Sequence, residues 1–151
     1  MEKTNTGKVA VILNVTSGPT ETSERVREIR DAFATLDLEP KICLVHSGME
    51  LDHRVRVALE EGYQTIVAAG GDGTVNATAS LLAGTDRVLG ILPVGTWNHF
   101  AKDFGIPLTI PEAVRTIAER SYQICRCGHG KRKNFYQQQT APSIKFRRAN
   151  R

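Results

Sequence analysis

The sequence predicts an α/β fold, a doubly wound and mostly parallel sheet, and three observations predict it. Four short runs rich in Val and Ile alternate with segments of helical period. The runs are nearly continuously apolar, as strands buried on both faces are. Two glycine-bearing loops follow the third and fourth runs, at the edge where open α/β sheets bind ligands.

Residues 9–13 form the first predicted strand. The helix after it brings Val26, Ile29, Phe33 and Leu36 to one face, with Thr22 or Ser23 placed to cap it. Residues 42–45 form the second strand, and Leu51, Val55, Ala58 and Gly62 line the helix that follows. Residues 65–69 and 88–92 are the third and fourth strands. Between them a helix carries Val75, Ala79 and Leu82, and Gly84 is positioned to end it. A last helix places Ile110, Val114 and Ile117 on one side, with Pro111 where a helix start accepts proline. Short connections between alternating strands and helices make βαβ units.

Composition narrows the function classes. With 151 residues, 40% hydrophobic and 24% charged, the chain has enough apolar material for one domain with a core. No apolar run approaches the ~18 residues of a membrane-spanning helix. Met1 to Lys8 lack the apolar centre of a signal peptide. Cys43, Cys125 and Cys127 are an odd set without framework spacing, which predicts a reduced, cytoplasmic compartment. Cys125 and Cys127 with His129 do not match zinc-site spacing. The net charge of +4 hides an asymmetry: residues 120–151 carry nine Lys or Arg and no acid, leaving a net of −5 in 1–119. The expectation is an acidic domain, 1–121, and a basic, disordered tail, 122–151.

The chemistry sits in the loops. Gly70-Gly71-Asp72-Gly73-Thr74-Val75-Asn76 runs from a strand directly into a helix. Its glycines are expected to take positive φ and bring backbone N–H groups to phosphate oxygens, at the positive end of the helix. Thr74 and Asn76 add side-chain donors. Asp72 is repulsive to phosphate unless it works through Mg²⁺ or handles a proton; alternatively it stabilises the helix start. A glycine followed by Lys and Ser or Thr is absent, so this is not a P-loop, and Asn76 breaks the GxGxxG fingerprint. The second loop, from Pro93 to Ala101, offers Gly95 for close approach and Thr96 and Asn98 as hydrogen-bonding groups. Trp97 reads as cleft packing and His99 as a satisfied or solvent-facing histidine. After the first strand, Asn14, Ser17 and Gly18 form a third candidate.

GGDGTVN at 70–76, followed by PVGTWNHFAKDFGIP at 93–107, resembles the catalytic domain of diacylglycerol kinases. That family includes sphingosine kinases and bacterial lipid kinases, and its fold resembles those of NAD kinase and phosphofructokinase. The resemblance spans residues 8–121. It implies ATP-dependent, Mg²⁺-assisted phosphorylation of a diacylglycerol-like lipid hydroxyl at a membrane surface, with no role for nucleic acid. Residues 70–76 would hold the ATP phosphates and Thr96 would touch nucleotide; Asp72 is the catalytic and metal candidate. Asn14 to Gly18 resembles the family's first-strand loop, with Val15 where proline is usual. Ser47 resembles a hydroxyl-bearing position facing nucleotide, although a turn role suits it equally. His99 replaces a frequent aspartate. Two further readings stand beside this one, an NAD-kinase-like small-molecule kinase and a non-catalytic nucleotide-binding module whose basic tail contacts RNA or membrane. The family also implies a second, β-rich domain that carries the lipid site and the general base. From Cys125, a one-nucleotide shift permits the Val-Asp-Val strand that opens that domain. The expectation is therefore a chain that leaves its ancestral frame near Ile124 and lacks that domain.

Overall fold

Apolar periodicity decides most of the architecture, as a computed structural model shows for residues 7–15, 19–119, 122–126 and 143–147. In chain order the elements are β1 (Val9–Asn14), α1 (Pro19–Ala34), β2 (Lys41–Val45), α2 (Gly48–Glu60), β3 (Thr65–Gly70), α3 (Asp72–Leu82) and β4 (Val88–Pro93). They continue with α4 (His99–Asp103), α5 (Ile110–Ala118), β5 (Tyr122–Arg126) and β6 (Ser143–Arg147). The strands form one sheet in the order β2-β1-β3-β4-β6-β5. All neighbours are parallel except β5 and β6, which pair antiparallel. The predicted doubly wound, mostly parallel α/β fold is the observed one.

Burial follows position in the sheet. β3 is buried along its whole length, and β1 is buried from Val9 to Leu13, which is why both read as unbroken apolar runs. β2 lies at the edge, so its burial alternates and Leu44 is exposed, unlike the fully buried strand expected there. Helices α1 and α5 pack beside each other, and α2 and α3 form a second pair. Ile29, Phe33, Leu51, Val55, Ala58, Val75, Ala79, Leu82, Ile110, Val114 and Ile117 are buried, so every predicted helix face supplies core. Gly84 follows α3 with φ of +79°, the left-handed turn expected at a helix end.

Three expectations differ from the structure. Thr22 and Ser23 lie inside α1, because Pro19 opens that helix; a proline with its fixed φ suits the first helical position. Residues 99–101, read as the end of the second loop, belong to the short helix α4. The tail, read as disordered, contributes β5 and β6 to the sheet. Its residues 143–147 alternate polar and apolar types, a period-two signal outweighed by the surrounding charge. Cys127 and His129 of the rejected zinc motif, and Ser17 and Gly18, lie outside the described residues.

Candidate nucleotide site

Strand order places the site. The sheet reverses its winding between β1 and β3, and the crevice at such a switch point, beyond the carboxyl ends, is where α/β sheets take ligands. Asn14 ends β1 and Gly70 ends β3, one on each side of that point. The Asn14 Nδ2 amide donates to Thr74 Oγ1 at 3.0 Å and ties the end of β1 to the first turn of α3. Thr74 is buried, and its carbonyl accepts from Thr78 Oγ1 at 2.8 Å. The threonine therefore braces the loop from beneath.

α3 begins immediately after β3, with Gly71 as N-cap and no side-chain cap. Its first intrahelical bond runs from Val75 N–H to the Gly71 carbonyl at 3.1 Å. The N–H groups of the preceding turn thus point out of the helix start, where the helix dipole is positive. Val75 itself is a core residue, buried among the apolar side chains, and its N–H is engaged in this bond. Asn76 is exposed one turn along the helix.

The loop glycines are needed for space, not for positive φ: none of Gly70, Gly71, Gly73 and Gly95 takes a positive φ. A Cβ on Gly70 would lie 2.6 Å from Thr74 Oγ1. A Cβ on Gly95 would run into the Gly71 backbone, 2.6 Å from its nitrogen. The two signature loops therefore cross backbone on backbone, and this crossing requires glycine in the second motif. Gly73 is different. A Cβ there would meet nothing within 4 Å, and the residue lies in the first turn of α3, where glycine is less favourable than alanine by up to about 1 kcal/mol, the helix-interior value.

Asn98 does not point its amide into the cleft as the sequence suggests. It accepts from Gly95 N–H at 3.1 Å and donates to the carbonyls of Pro93 at 3.2 Å and Gly95 at 2.9 Å, closing its own loop. Its left-handed backbone, φ 51°, is one asparagine tolerates. Thr96 is exposed on the same loop. Trp97 is 67% exposed and stacks on His99 with ring planes 3° apart, so it is not cleft packing. Asp72 accepts from His99 N–H at 3.1 Å and Phe100 N–H at 2.8 Å. Asp72 also stands in the first turn of α3, where the helix-start reading put it. Ser47 caps α2, accepting from Glu50 N–H at 3.2 Å. The Glu50 carboxyl is held below its ordinary range, first by the His46 backbone N–H and then by the His46 ring.

Sequence reasoning missed Arg25. Its Nη1 donates to the Val94 carbonyl at 3.0 Å, and it pairs with Glu21 at 3.7 Å, so α1 props the second loop. Nothing in the local pattern around Arg25 signals a partner sixty-nine residues away. Among the described residues no three His, Cys, Asp or Glu converge as a metal cage.

Residues 8–129 match the family described as the diacylglycerol kinase catalytic domain. A diacylglycerol kinase of Bacillus subtilis is 32% identical over 102 residues, covering 66% of this chain and 34% of that protein. One from Mycobacterium tuberculosis is 42% identical over 65 residues, covering 43% of this chain and 21% of that protein. A solved diacylglycerol kinase from Bacillus anthracis shares the fold with a TM-score of 0.66 at 23% identity, over 82% of this chain and 44% of that one. The chain thus spans about a third or less of the curated relatives it matches. With GGDGTVN seated at the switch point and the family matched over residues 8–129, this chain belongs to the diacylglycerol kinase catalytic domain family.

Proposed function

We propose that this chain is the ATP-binding part of a lipid kinase that transfers the γ-phosphoryl group to the hydroxyl of a diacylglycerol-like lipid. The observation that carries the reading is Gly73. It occupies a helical position that alanine would stabilise and that has open space above it, so its absent side chain leaves room for a ligand against the backbone. Family membership supports the choice of ligand, because kinases of this family use ATP.

In this reading the outward N–H groups at the start of α3, with the helix dipole behind them, bind phosphate oxygens. Gly70 leaves room for the Thr74 side chain and Gly71 faces the crossing at Gly95, while the bond from Asn14 to Thr74 braces the turn. Thr96, exposed on the second loop, is available to the nucleotide. Mg²⁺ would arrive on the phosphates, held by substrate oxygens and water, with Asp72 the nearest carboxylate to the turn in sequence. It would neutralise charge developing on the transferred group. Among the described residues no helix is long and apolar enough to cross a membrane.

Titration calorimetry with millimolar Mg-ATP tests the site. Wild-type protein is expected to bind. Gly73→Ala is expected to melt higher, by up to about 1 kcal/mol of stability, and to bind at least about tenfold more weakly. No binding by the wild type, or unchanged affinity in the more stable variant, would sink the reading.

A further inference from the structure

Helix α4 starts without a cap of its own. Its N-cap residue, Asn98, makes no side-chain cap bond, because that amide is engaged in closing the 93–98 loop. The N–H groups of His99 and Phe100 begin the helix and have no partner within it. Both are taken by Asp72, one by each carboxylate oxygen, from a residue 27 and 28 positions earlier in the chain.

This contact joins the two signature loops. Asp72 is the first residue of α3, beside the Gly71 N-cap. The 93–98 loop precedes α4 and lies across Gly71 at Gly95. The backbone crossing sets how closely the loops approach but supplies no attraction. The carboxylate supplies it, through two charge-assisted hydrogen bonds. Such a group is poorly suited to act as the base, since taking a proton would weaken both bonds during the transfer.

We propose that Asp72 is a positioning residue, whose carboxylate caps α4 from the start of α3 and so holds the 93–98 loop over the phosphate-binding turn. This rests on the nucleotide reading above. Asp72 then acts on ATP through the placement of the second loop, and its removal weakens nucleotide binding whether or not a metal is present. A metal ligand behaves differently, because its removal weakens only the Mg²⁺-dependent part.

Asp72→Ala and Asp72→Asn in the whole chain separate these roles through two measurements. In amide hydrogen exchange, Asp72→Ala is expected to speed His99 and Phe100 at least about tenfold while the β1 and β3 amides keep their protection. Asp72→Asn, which keeps one acceptor oxygen, is expected to fall between. Affinity for ATP, measured with Mg²⁺ and with excess chelator, is expected to drop by the same factor in both, about fivefold or more. Unchanged exchange at His99 and Phe100 would overturn the proposal, as would a loss confined to Mg²⁺. Should Asp72→Ala lose protection throughout the sheet, the Asp72→Asn results decide in the same terms. A wild type that binds no ATP under either condition removes the nucleotide reading, and the exchange data then judge the cap alone.

Discussion

Among the loop glycines, identity is legible in the sequence but the reason for each is not. Spacing marks Gly70, Gly71, Gly73 and Gly95 as a site, whereas the expected positive φ is absent from all four. What makes two of them glycine is proximity: the Thr74 side chain at Gly70, and the Gly71 backbone at Gly95. Such contacts depend on how two distant segments cross, which no local pattern records. Gly95→Ala is therefore expected to destabilise the fold by about 1–3 kcal/mol, the usual range for forced overpacking. Gly71→Ala should be milder, because its Cβ would meet the Gly95 Cα at 3.6 Å, an ordinary contact. Only a cap preference of about 1 kcal/mol opposes it. Paired denaturant melts check the order. A Gly71→Ala variant less stable than Gly95→Ala would mean that the crossing is looser than described. Asp72 was likewise legible as a candidate by type, yet its partners were not, since it bonds backbone 27 and 28 residues away, whereas Asn98 closes its own loop within five residues.

At the scale of elements, those with a long apolar period were readable and those held by a single distant contact were not. The buried faces of α2, α3 and α5 follow directly from residue spacing. α4 is five residues long and is capped by Asp72, so neither period nor a local cap announced it. α2 is the converse case, because its cap is local: Ser47 Oγ accepts Glu50 N–H, and the Glu50 carboxylate accepts His46 N–H at 2.8 Å. Ser47→Ala is expected to cost about 1 kcal/mol in a thermal melt and to leave Mg-ATP affinity unchanged. A drop in affinity would instead make Ser47 a nucleotide contact. The same cap should respond to acid. Glu50 has its carboxyl pKa lowered in the fold, so its contribution is present above the ordinary carboxylate range and is lost as pH falls through the lowered value. Exchange at His46 and Glu50 should accelerate across that window, and Glu50→Gln should remove the pH dependence.

For the whole molecule, the sheet divides into a central part and an appended part. β3 and β4 pair along their full lengths, from Thr65–Val88 to Gly70–Pro93. β6 meets β4 only at Val88 and Leu89, the end away from the glycine loops. The site depends on β1, β3, α3 and the loop after β4, none of which needs β5 or β6 to reach its position. Removing everything after Glu119 should therefore leave Mg-ATP affinity within about twofold, as expected for changes at separate locations. The same truncation uncovers β4 at Val88 and Leu89 and leaves it as an edge strand whose ladder is open to other chains along its length. It should thus elute as larger species than the whole chain in size-exclusion chromatography at equal concentration. Calorimetry on the truncated protein gives the second reading. An affinity at least about tenfold weaker would mean that the basic residues beyond Glu119 reach the phosphates and belong to the site. Retained affinity with increased self-association would assign them to covering the β4 edge.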